Sequence, residues 1–177
     1  MGGRAEDVHL TIDDLNRMAA SEFAASFGDV AEHSPWVAER AAGARPFADR
    51  GAAAQAFAAA LRGAARDEQV AVLRAHPDLA GRAAVLGKLA KESRREQAGA
   101  GLDRLTPEEF ERFTALNAAY KERFDIPFIF AVKGATKELI LAAFEERLAN
   151  GPEDELKNAI DNVCRIMRFR IEDRVAG

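Results

Sequence analysis

Apolar side chains recur along this chain at steps of three and four residues, and two-residue alternation is almost absent. Three and four are neighbour spacings on an α-helix, so the pattern predicts helices that each bury one face. Phe110, Phe113, Leu116, Tyr120 and Phe124 make one stripe, predicting a helix from Pro107 to about Phe124. Leu139, Ile140, Ala143, Phe144 and Leu148 make a second, which follows Thr136 and stops at Asn150-Gly151-Pro152. Leu156, Ile160, Val163 and Met167 make a third, from Pro152 to about Asp173. Start signals agree with these spans. Thr11 precedes Ile12-Asp13-Asp14, Ser34 precedes Pro35-Trp36, and Asp67 precedes Glu68-Gln69-Val70. Thr106-Pro107-Glu108-Glu109 combines a capping hydroxyl, a first-turn proline and a capping-box acid. Between the first two long helices, residues 126–133 are apolar and rich in β-formers, with no second such stretch to pair with. They are read as extended buried chain whose N–H and C=O groups need partners and could be offered to a ligand. The fold class is therefore all-α: one multi-helix domain over 1–177, with residues 1–8 expected to be poorly ordered.

Composition narrows the partners. The chain has 177 residues, 48% of them hydrophobic, enough to bury a core. Its formal net charge is −4 and no sustained Lys/Arg stripe appears, which argues against nucleic acid and anionic membrane as partners. No apolar run approaches the roughly 20 residues that span a bilayer. The first residues hold no apolar leader, and Cys164 is the only cysteine, so no internal disulfide or Cys-built metal site can form. These features point to the cytoplasm. His9, His33 and His76 lie far apart, without a ligand pair, and neither a phosphate loop nor a nucleophile elbow is present.

Three features do not reduce to packing. His76 stands directly before Pro77, where a helix must end. It suits either a helix C-terminus that favours imidazolium or a general acid/base, since histidine titrates near pH 6.5. Ser93-Arg94-Arg95-Glu96-Gln97 matches a capping box, and it also places a hydroxyl, a carboxylate and an amide within one turn. Such a trio suits a small ligand rich in N–H and C=O groups. Arg170 extends the third stripe inward, where a guanidinium needs an oxygen partner. An internal salt bridge, snorkelling near the helix end and a forked clamp on a ligand carboxylate all meet that need.

Taken together, "SPWVAERAAGARPF" (34–47), "AHPDLAG" (75–81), "SRREQAGAGL" (93–102), "LNAAYKERFDIPFIFAV" (116–132) and "RFRIEDRV" (168–175) resemble the 2-oxo-4-hydroxy-4-carboxy-5-ureidoimidazoline (OHCU) decarboxylase family. That family carries out the third step from urate to (S)-allantoin. The resemblance covers nearly all of the chain after about residue 8. Arg82, where lysine is expected, and Ile126 before Pro127 are mild departures. The resemblance implies an all-α fold, commonly a homodimer, acting on a small molecule without metal or cofactor. It implies that His76 is the catalytic acid/base and Glu96 works beside it. It places Pro77, Ser93, Gln97 and Arg170 against substrate, with Phe128, Ile129, Phe130, Ala131 and Val132 contributing backbone contacts. Residues 76, 96 and 170 are thereby expected to converge on one cavity. A non-catalytic helical module binding ureides or purine catabolites would use the same apolar helices and inward arginine.

Overall fold

The structure, a computed structural model, describes residues 9–80 and 91–177. The expectations for residues 1–8 and for Arg82 lie outside the described residues. Nine helices are present among the described residues: α1 Ile12–Arg17, α2 Ala20–Phe27, α3 Trp36–Ala42, α4 Arg50–Arg62, α5 Arg66–Ala75, α6 Lys91–Gly99, α7 Pro107–Phe124, α8 Lys137–Leu148 and α9 Pro152–Arg174. No strand occurs among these residues; Leu10 and Val175 form an isolated parallel bridge. The all-α expectation holds. No helix among the described residues is long and apolar enough to cross a membrane.

The chain divides into two compact units. The first holds residues up to Ala64 together with Ile166–Gly177. Its core is built on Phe23, Phe27, Phe47 and Phe57, whose ring centroids lie 5.0 to 6.4 Å apart. α1 starts where predicted: the Thr11 hydroxyl accepts from Asp14 N–H and the Asp14 carboxylate accepts from Thr11 N–H. α3 starts differently. Ser34 does not cap it; its buried hydroxyl donates to the Glu32 carbonyl, and Pro35 already has helical angles. That hydrogen bond closes a turn in which His33 takes a left-handed φ of 48°.

The second unit runs from Ala65 to Arg165. α5 begins at Arg66, one residue ahead of Asp67, because the Glu68 carboxylate reaches back to Ala65 N–H. α7 has the predicted capping box between Thr106 and Glu109 with Pro107 in the first turn. Phe113, Tyr120, Phe128 and Phe144 are fully buried together, with Phe128 stacked on Phe144 at 3.6 Å. On α8 the stripe is rotated from expectation. Leu139 is 59% exposed, whereas Leu141 and Arg147 point inward. The rotation follows from Arg147, whose guanidinium meets the fully buried carboxylate of Glu155 at 2.9 Å. Tyr120, Asn150 and Asn158 also donate to that carboxylate. Burial alone would push the Glu155 carboxyl up, but these hydrogen bonds, led by Arg147 and Tyr120, outweigh it and hold it below its ordinary range.

Candidate active site

Proline sets the site's first element. Pro77 cannot continue α5, so the helix ends at Ala75 and His76 turns extended, with φ −73° and ψ 140°. His76 is 8% exposed, and its Nδ1 lies 2.9 Å from the Val72 carbonyl. A carbonyl only accepts, so Nδ1 carries hydrogen and Nε2 is the ring atom that gains or loses a proton. The chain then passes through Asp78 and Leu79 into Ala80, which holds a left-handed φ of 52°.

α6 faces this loop. Ser93 does not cap α6, because the helix is already running at Lys91; its Ser-x-x-Glu spacing is a helix face. Ser93 and Gln97 are buried at 3% and 4% exposure, with Glu96 half-buried between them. The Gln97 amide grips the loop on both sides. Its Oε1 accepts from Ala80 N–H at 2.9 Å, and its Nε2 donates to the Asp78 carbonyl at 3.4 Å. One amide N–H and a lone pair remain for other partners.

His76 lines a cavity of about 250 Å³ together with Arg74, Asp78, Lys121, Asp125, Ile126 and Pro127. Two ion pairs frame it: Lys121 with Asp78, and Arg74 with Asp125, each at 2.6 Å. Residues 126–129, 131 and 132 are buried and Phe130 is half-buried, as the extended-segment expectation required; only Lys133, at its end, is exposed. Part of this backbone is spoken for. Arg147 donates to the Ile129 carbonyl at 2.7 Å, Asn162 accepts from Ala131 N–H at 3.1 Å, and Ala135 N–H donates to the Val132 carbonyl. The N–H groups of Ile129, Phe130 and Val132 and the carbonyls of Phe130 and Ala131 have no partner among the described residues. The Phe128 side chain is locked in the core, so it can serve a ligand only through its backbone.

His76, Pro77, Ser93, Glu96, Gln97 and residues 128–132 all belong to the second unit, but of these only His76 lines that cavity. Arg170 belongs to the first unit, where it is 3% exposed. Its guanidinium meets Glu32 Oε1 at 2.9 Å and the Val30 carbonyl at 3.2 Å. The oxygen partner demanded by its inward position is therefore found inside the protein.

A family model for OHCU decarboxylase matches residues 16–172. The chain belongs to the OHCU decarboxylase family. Named OHCU decarboxylases from Haloferax volcanii and Amia calva are both 40% identical to it. The first alignment covers 95% of this chain and 98% of the archaeal protein; the second covers 90% and 91%. A solved structure described as (S)-allantoin synthase superposes with a TM-score of 0.76 at 30% identity, over 94% of this chain. This chain spans 54% of that longer one. Another, described as OHCU decarboxylase in the presence of (S)-allantoin, shares the fold at a TM-score of 0.66 and 21% identity, over 81% of this chain.

Around the histidine of this OHCU decarboxylase family member, sequence reasoning passed over Asn117, Lys121, Arg74 and Asp125. Asn117 did carry a signal. It sits four residues after Phe113 and three before Tyr120, so it is an amide on a core-facing stripe. Glu32 carried none, because its partner Arg170 is 138 residues away.

Proposed function

We propose that this chain is a carboxy-lyase converting OHCU to (S)-allantoin and CO2 in urate degradation, without a cofactor, with His76 as its proton-transfer group. The observation that carries the reading is the seat of His76: buried, anchored through Nδ1 and aligned by a proline. The substrate supplies its own electron sink, a ring C=N next to the carboxylated carbon. When the bond to CO2 breaks, its electron pair forms a C=C bond to the neighbouring ring carbon. The C=N pair moves to nitrogen, which takes a proton. The resulting enol loses its hydroxyl proton and gains one at the ureido-bearing carbon, on one face. His76 moves one of these last two protons, a task suited to imidazole near neutral pH. Glu96 serves the imidazole or a ureido N–H. Pro77, Ser93, the remaining amide N–H of Gln97 and the backbone of Phe128, Ile129, Phe130, Ala131 and Val132 hold the ring. The resemblance also gives Arg170 a holding role.

Placing the new proton on one face yields one enantiomer, whereas water has no reason to prefer either. Substrate generated in situ from urate, followed by circular dichroism, therefore tests the reading. Wild type should give optically active product, and His76→Ala should lose roughly 10²- to 10⁴-fold in that rate. An unchanged stereospecific rate would remove His76 from the mechanism. Tight (S)-allantoin binding without turnover would favour a binding module instead. The same reading has the whole chain acting as one decarboxylase-like domain in the cytoplasm, and as a homodimer, whose mass light scattering of the purified protein checks.

A further inference from the structure

Four consecutive residues, His76 to Leu79, followed by strained Ala80, carry the candidate catalytic group. A non-glycine residue in the left-handed region persists only where its surroundings over-determine it. Two helices do so here. From α6, Gln97 accepts from Ala80 N–H and donates to the Asp78 carbonyl. From α7, Asn117 Nδ2 donates to the Leu79 carbonyl at 2.8 Å, and one turn on, Lys121 holds the Asp78 carboxylate.

Asn117 is the unusual member. It is 6% exposed, and its Oδ1 is buried with no hydrogen-bond partner among the described residues. Turning the amide over would set that oxygen against the Leu79 carbonyl, two acceptors face to face, so the donor end is correctly placed. An apolar residue would remove the orphan oxygen and leave the carbonyl unpaired in its stead. For stability the exchange is close to even. What Asn117 alone supplies is a fixed place for the Leu79 carbonyl, three residues beyond His76.

We propose that Asn117 is a positioning residue for His76: acting through the Leu79 carbonyl, it fixes the 78–80 turn and with it the imidazole. The proposal rests on the decarboxylase reading for its kinetic consequence but not for its structural one. The protein has three histidines, His9, His33 and His76, so each imidazole can be followed by ¹H–¹⁵N NMR. In Asn117→Leu, the His76 ring signals and titration midpoint should move while those of His9 and His33 stay. The kcat should fall roughly 10- to 100-fold, as expected when a reacting group is displaced by about 1 Å. KM should stay within about threefold, because no substrate contact is lost. In Asn117→Asp only the protonated carboxyl can donate to the carbonyl. Its kcat relative to wild type should therefore climb as pH falls, which also serves as the test if the leucine variant does not fold. Unmoved His76 signals with kcat within about twofold of wild type would overturn the proposal, and so would a defect confined to KM. A wild-type protein without turnover would defeat the decarboxylase reading, while the imidazole signals would still decide the role of Asn117.

Discussion

Two buried polar clusters in the second unit are built on opposite terms. Around Glu155, charge is fully answered: Arg147, Tyr120, Asn150 and Asn158 all donate to one carboxylate that is 0% exposed. Around His76, two neutral amides and one part-exposed ion pair hold the turn, one amide oxygen is orphaned, and Ala80 is strained. A closed charge network rigidifies a core and punishes the loss of any member. A strained turn held by neighbours fixes one side chain in a place it would not choose alone. The contrast teaches that burial of polar groups has two separate uses in this molecule, and that satisfaction tells them apart.

The widest gap should open when a member of the closed network is removed. Arg147→Met would strand the Glu155 carboxylate and cost about 3–5 kcal/mol, read by urea unfolding. A cost below about 1 kcal/mol would place the two clusters in the same class. Arg147 also fixes the Ile129 carbonyl, so some loss of turnover should accompany it.

Acid sharpens the same comparison. The Glu155 carboxyl sits below its ordinary value of 4.5 in the folded protein. A depressed carboxyl stabilises the fold above that ordinary value and gives up its contribution as pH falls through the folded one. Stability measured below pH 4.5 should thus drop more steeply in wild type than in Glu155→Gln. Parallel curves would mean that the hydrogen bonds do not favour the charged form.

The smallest effect belongs to the cavity rim. Lys121 and Asp78 pair at 2.6 Å, but the lysine side chain is 48% exposed. Lys121→Met should change stability by less than about 1 kcal/mol, with the difference shrinking further in high salt. A larger, salt-independent loss would mean that the rim ion pair, and not the buried amides, holds the histidine turn.

The candidate site is partly legible in the sequence. His76 at a proline-stopped helix end and the Ser93-Glu96-Gln97 face appear as expected, and so does the 126–133 segment apart from half-buried Phe130 and exposed Lys133. Each is a local feature, decided within a few residues. Three readings failed for the same kind of reason. Ser34 looked like a cap, yet its hydroxyl found the Glu32 carbonyl two residues back. Ser93 looked like a cap, but the same spacing is produced inside a running helix. Leu139 looked buried until Arg147 claimed the inner face of α8. A spacing rule cannot separate two structures that share the spacing.

The helical class, the ends of most helices, and the chemistry on offer at His76, Ser93, Glu96 and Gln97 are all readable from residues within a turn of one another. Caps, prolines and apolar stripes act over one turn, so their outcome is written where they stand. Which groups meet is a matter of the folded path of the chain. Asn117 reaches a carbonyl 38 residues back, and Arg170 a carboxylate 138 residues back. Those meetings depend on the path of the whole chain, since a buried donor takes whichever acceptor folding delivers to it.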